Sequence, residues 1–157
     1  MRNLNELIRN QSEWTFKIYP ITVKLNLTQR ETPVLDELAM RDYRKAFAQL
    51  YDEVIGTNPA PKKVRITSEL EQMAQIIKIE HNGMPISEMT LNWLNRCLEE
   101  CATGARSAIL SKDRNRNFYR NRNFLAATLL HKYNGRIQIS NIDGIYHVQT
   151  KVEIPIP

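Results

Sequence analysis

Two period-two runs hinged on Asp143-Gly144 constrain this chain most. Ile137 and Ile139 alternate with polar residues, Asn141-Ile142-Asp143-Gly144 breaks the run, and Tyr146, Val148, Thr150, Val152 and Ile154 alternate again. Alternation at a period of two turns one face of a strand toward a core, and Asp-Gly between two such runs signals a hairpin. Pro155 and Pro157 close the second strand. A third run lies near the other end of the chain, where Ile21, Val23, Leu25 and Leu27 alternate with Thr22, Lys24 and Asn26. It reads as another half-buried strand, with Pro20 tolerated at its start or at an edge. Phe16 and Ile18 extend the same face.

The stretches between read as helices. Residues 3–13 are weakly helical, with Leu4, Leu7 and Ile8 on one side. Thr32 is an expected N-cap with Pro33 at the first helical position, where its missing N–H costs least. Leu35, Leu38, Tyr43, Phe47, Leu50, Tyr51 and Val54 then form a stripe at helical spacing, stopped by Gly56. Ser68 and Glu71 make an S-x-x-E pair that predicts a helix to about His81, with Leu70, Met73, Ala74 and Ile77 buried. Asn82-Gly83 and Pro85 end it. Ser87 caps a helix to about Thr103, whose core face is Met89, Trp93, Leu94, Cys97, Leu98 and Cys101. A last helix carries Phe124, Leu125, Thr128, Leu129 and Tyr133 and stops at Asn134-Gly135.

The expected fold is α+β and mainly α. A bundle of four to five helices spans about 32–135, with a small antiparallel sheet from the N-terminal strand (about 15–27) and the C-terminal hairpin (136–154). At 157 residues the length prior gives a single domain, and a chain of this size buries a core without disulfides. Apolar content of 42% and scarce Gly argue against disorder. No apolar run is long enough to span a membrane, and MRNLNELIRNQSEW has no apolar segment typical of a signal peptide. A cytoplasmic location is expected. Cys97 and Cys101, four residues apart, read as small buried hydrophobes; no metal and no cofactor are expected.

Charge is concentrated in one place. The segment from Arg106 to Arg122 holds Arg106, Lys112, Arg114, Arg116, Arg120 and Arg122 against the single acid Asp113, a local excess equal to the +5 of the whole chain. Phe118, Tyr119 and Phe124 lie within or beside it. Arginine forks fit phosphate and aromatic rings stack on unpaired bases, so this run is the expected nucleic-acid contact, with Tyr119 as a stacking residue. Lys62, Lys63 and Arg65, in the connector 56–66, form a second, weaker candidate. A solvated basic face and an acidic protein partner are the competing readings.

Enzyme signals are thin. There is no G-x-S-x-G, Walker loop, H-E-x-x-H or Gly-rich phosphate cradle, and only Asp113 lies within the basic run, which disfavours a metal nuclease. The chain is therefore expected to be non-catalytic. The turn His81–Pro85 could join two helices of a DNA-binding regulator. The helix after it begins SEMTLNWLNR, with few donors for a groove, so a regulator remains the alternative.

The stretch TVKLNLTQRETPVLDELAMRDYRKAFAQLY, the NWLNRCLEEC helix and the segment RNRNFYRNRNFLAATLL resemble the C-terminal part of the large subunit of type I-D CRISPR Cascade, which is also made separately as a small subunit. The resemblance implies a ribonucleoprotein role in antiviral defence. Copies would pack beside one another and beside other subunits of a crRNA-guided complex, steadying the target or displaced DNA strand through backbone phosphates while guide pairing supplies specificity.

Overall fold

The computed structural model describes residues 3–28, 35–102 and 121–156. Its centre is a five-stranded mixed sheet, which overturns the expected helical bundle. The described elements run α1 (Leu4–Lys17), β1 (Thr22–Asn26), α2 (Glu37–Ile55), β2 (Lys63–Glu71), β3 (Ala74–His81), α3 (Glu88–Ala102), α4 (Arg122–His131), β4 (Arg136–Asn141) and β5 (Val148–Pro155). The strand order is β1-β2-β3-β5-β4. β1 lies parallel to β2 and every other neighbouring pair is antiparallel. A parallel pair needs a crossover, and α2 lies within the connection that makes it.

The largest correction falls on residues 68–81. They form part of the β2–β3 hairpin, turned at Gln72 and Met73, and Met73 is exposed. Ile76, Ile77 and Ile79 are β-branched and suit a pleated surface. Ser68 does not cap a helix: its hydroxyl donates to Asn5 Oδ1 at 2.7 Å and accepts the Thr28 N–H at 3.1 Å. Gln75 donates to the same Asn5 oxygen at 3.0 Å, so a buried polar group pins α1 to the sheet.

One parity runs through the sheet. Val64 pairs with His81, Ile66 with Ile79 and Ser68 with Ile77. The register continues through Ile77 with Val152, Ile79 with Thr150 and His81 with Val148, then Val152 with Ile137 and Thr150 with Ile139. All of these are buried. The residues between them, such as Lys63, Arg65, Lys78, Lys151 and Gln138, project from the other face. The inward face is continuous across these strands, and on the other face the central strand β3 also buries Ile76 and Glu80.

The helices start where the chain offers an oxygen. Asn3 accepts from the Glu6 N–H, Asp36 from Ala39 and Asn121 from Asn123. Thr32 and Pro33, the expected start of the second helix, lie outside the described residues. The expected strand extension through Phe16 is instead the buried end of α1. α3 covers the edge strand β4: Asn95 donates to the Ile139 carbonyl at 2.7 Å and accepts the Ile139 N–H at 2.8 Å, and Glu99 pairs with Arg136 at 3.3 Å. Among the described residues, no helix is long and apolar enough to cross a membrane.

α2 is joined to the turn after α4 by a buried carboxylate. Tyr133 donates to Asp42 Oδ2 at 2.6 Å, and Lys132 approaches the same oxygen at 3.6 Å. The Tyr133 hydrogen bond holds the Asp42 carboxyl below its usual range, against the opposing effect of burial. Tyr133→Phe should cost about 1–3 kcal/mol at neutral pH in a urea melt, because it leaves a buried acceptor short of its donor. A depressed carboxyl stabilises the fold above its unfolded pKa and loses that contribution as pH falls through the folded value. The gap between variant and native chain should therefore shrink below the ordinary Asp range; a gap of zero at neutral pH would remove the tie from the account.

Candidate functional site

A cavity of about 510 Å³ opens between α2, α3, α4 and the sheet. The strap joining β3 to α3, residues 82–87, is held over its end. Asn141 donates to the Ile86 carbonyl at 2.7 Å and accepts the Ile86 N–H at 2.9 Å. Asn82 accepts the N–H groups of Lys62 and Lys63, each at 2.9 Å. Met84 and Ile86 of this strap line the cavity.

Gly83 is clasped by two histidines. Its N–H donates to His81 Nδ1 at 3.0 Å, and its carbonyl lies 3.0 Å from His147 Nδ1, which therefore carries the proton. A Cβ on Gly83 would sit 2.8 Å from His81 Nδ1, so only glycine allows this approach. His147 also donates its backbone N–H to the His81 carbonyl at 2.8 Å.

The floor is the buried face of the sheet: His81 from β3, Ile139 from β4, and Val148 and Thr150 from β5. Apolar walls come from Val54 of α2 with Trp93 and Leu94 of α3. Trp93 is fixed edge-on against Phe124 of α4, with ring centroids 5.5 Å apart. His81 and Thr150 are each 6% exposed and Asn123 is 7% exposed. These three polar residues converge on one space.

The mouth is charged. Arg122, the first residue of α4, donates its backbone N–H to Glu53 Oε2 at 3.2 Å, and its guanidinium meets Asp52 Oδ2 at 3.2 Å. Glu53 thus places a carboxylate at a helix N-terminus, where backbone N–H groups attract anions. Burial pushes the Glu53 carboxyl up, against the lowering effect of the Arg122 N–H and charge. Burial, reinforced by nearby His147, lowers His81 to about 4, so its ring is neutral at pH 7. Among the described residues, no group of three or more His, Cys, Asp or Glu could hold a metal ion.

Of the expected contact residues that are described, only Arg122 lines this cavity. Lys63 and Arg65 lie on the opposite face of the sheet, and Lys62 immediately precedes β2. Arg65 is paired with Glu80 at 2.8 Å and stacked 4.5 Å above the Tyr146 ring. Arg106, Lys112, Arg114, Arg116, Tyr119 and Arg120 lie outside the described residues. Sequence reasoning missed Glu53, which reads as one acid among several on α2, and His81, Asn123 and Thr150. His81 could be found only as the polar member of the alternation Ile77, Ile79, His81.

No protein-family model and no curated protein matches the sequence. Solved structures do match the fold. The chain resembles the catalytic domain of histidine kinase ThkA with a TM-score of 0.67 and 19% identity, covering 98% of this chain and 93% of that one. It resembles the ATP binding domain of PrrB from Mycobacterium tuberculosis with a TM-score of 0.68 and 12% identity, over 99% and 96% of the two chains. It also resembles ThkA in a complex with the response regulator protein TrrA, with a TM-score of 0.63 and 18% identity, over 99% of this chain and 41% of that one. At these identities the likeness establishes an α/β sandwich fold. It overturns the resemblance to a type I-D Cascade subunit, and with it the antiviral role, the crRNA-guided partners, the DNA strand and the side-by-side copies. The DNA-binding regulator and nuclease readings fall too, as does the expectation of a non-catalytic chain, since the structures that match include the catalytic domain of histidine kinase ThkA and the ATP binding domain of PrrB.

The neutral, buried His81 predicts a pH dependence of stability. Its folded pKa lies below the ordinary 6.5, so the unfolded chain binds more protons in between and stability falls as pH drops from about 6.5 toward about 4. The loss should reach about 3 kcal/mol across that window by urea melts. His81→Asn, which keeps an acceptor for the Gly83 N–H, should flatten the slope. An unchanged slope in that variant would assign the proton uptake elsewhere.

Proposed function

We propose that this chain binds a purine nucleoside triphosphate in the cavity beneath the 82–87 strap, as a kinase- or ATPase-type domain. The observation that carries the reading is the cavity itself, in a fold shared with an ATP binding domain. Its volume is typical of small-molecule sites, and its apolar walls with a few convergent polar groups suit a base and ribose. Val54, Trp93 and Leu94 flank the base. The phosphates lie at the mouth, against the Arg122 guanidinium and the backbone N–H groups that open α4.

The phosphates take the place of carboxylates. Glu53 Oε2 and Asp52 Oδ2 now occupy the donors of Arg122, and a bound phosphate competes for them. Displaced to the side, the Asp52 carboxylate fits a divalent cation shared with phosphate oxygens, since Mg²⁺ is commonly held by one or two carboxylates together with substrate phosphates. Such a cation would lower the charge of the phosphate chain beside Asp52. Glu53, with its raised proton affinity, is the residue we assign to accept a proton from an attacking nucleophile. The reading places the chain in the cytoplasm, where nucleoside triphosphates are abundant.

Arg122→Ala should weaken nucleoside triphosphate binding roughly tenfold or more in calorimetry, in line with the loss of a charge-assisted hydrogen bond. Unaltered affinity would remove the α4 end from the phosphate site. Glu53→Gln should bind nucleotide but release phosphate at least about a hundredfold more slowly, the usual scale for loss of a general base. Phosphate release at the native rate would take the proton-accepting role from Glu53.

A further inference from the structure

The polar floor of the cavity has a directional chemistry that bears on which base fits it. His81 points from the buried face of β3 and is 6% exposed. Its Nδ1 accepts the Gly83 N–H, a donor that cannot turn away because the Gly83 carbonyl is tied to His147. A neutral imidazole carries one proton. With Nδ1 committed as acceptor, that proton is on Nε2, which is therefore a donor. Nε2 has no partner among the described residues. Thr150 also lines the floor, 6% exposed, and its hydroxyl can donate or accept.

In a purine nucleotide the edge bearing position 6 and N1 lies opposite the glycosidic bond. With phosphates at Arg122, that edge is the one that enters first and meets the floor. Guanine and hypoxanthine present a carbonyl oxygen at position 6 and an N–H at N1. Adenine presents an amino group and a bare ring nitrogen, the reverse order. A fixed donor beside an adaptable hydroxyl accepts the first pair and leaves the adenine amino group facing a donor. Buried donors left unmet are costly, which is the basis of discrimination by hydrogen bonding.

We propose that His81 is a specificity-determining residue whose Nε2–H recognises the position-6 oxygen of an oxo-purine, so that the site prefers guanine or hypoxanthine nucleotides to adenine nucleotides. The proposal rests on the nucleotide reading of the cavity and deepens it. Thr150 completes the recognition by accepting the N1 proton.

The test is calorimetry of the full chain with GTP, ITP and ATP in the presence of Mg²⁺. GTP and ITP should bind with equal affinity, since they share the position-6 oxygen, and roughly tenfold or more tightly than ATP. His81→Asn retains an acceptor for Gly83 and a donor for the base, and should keep the preference. His81→Asp has acceptors only and should reverse it toward ATP. ATP binding as tightly as GTP in the native chain overturns the proposal, as does ITP binding far more weakly than GTP or a preference that survives in a folded His81→Asp variant. Thermal melts establish whether that variant folds; where it does not, the native ranking decides. Binding of none of the three nucleotides refutes the nucleotide reading itself, and this inference falls with it.

Discussion

The structure depends on a single parity carried through four antiparallel strands. Because side chains alternate at a period of two, a slip of one residue between β3 and β5 would move Ile77, Ile79 and His81 to the opposite face and bring Lys78 and Glu80 against the helices. Burying Lys78 there without a partner would cost several kcal/mol. The register is thus set by burial, and the position of His81 beneath the cavity follows from it. The polar floor and the hydrophobic core are parts of one pattern.

That pattern explains what could be read from the sequence. The runs around Asp143-Gly144 and over residues 21–27 are legible because each alternates cleanly and stands alone between turn residues. The β2–β3 hairpin is not, because Ser68 and Glu71 imitate a helix start while Leu70, Met73, Ala74 and Ile77 imitate a helical stripe. The chain has no Asn-Gly or Asp-Gly at Gln72-Met73 to announce a hairpin. What decides the matter is non-local: Ser68 meets Asn5, and β3 is sandwiched between β2 and a strand from the far end of the chain. Misreading that one hairpin turns a sheet protein into a helical bundle.

The site was less legible than the fold. Charge counting finds Arg122, since an excess of cations survives any fold, but says nothing of Asp52 and Glu53 as its partners. Those contacts join α2 to α4 across about seventy residues of sequence, a pairing no local rule supplies. His81 is invisible for a related reason. Placed in a helix it is a terminal residue beside a turn; placed on β3 it becomes an inward side chain with one nitrogen committed to Gly83. Cavities of this kind are properties of assembled elements, and their residues acquire a role only after the elements meet.

The strand order has a bearing on synthesis. β3 sits in the middle of the sheet, yet its second neighbour, β5, is separated from it by α3, α4 and β4. As the chain emerges from the ribosome, β1, β2 and β3 can pair early, leaving one side of β3 with unfilled N–H and C=O groups along an isoleucine-rich strand. An open edge of that kind invites pairing with another nascent chain. The like-charged Lys78 and Lys151, which face each other across the finished β3–β5 ladder, offset this hazard at a small cost to stability: before β5 arrives, Lys78 is a charge in the middle of the exposed edge.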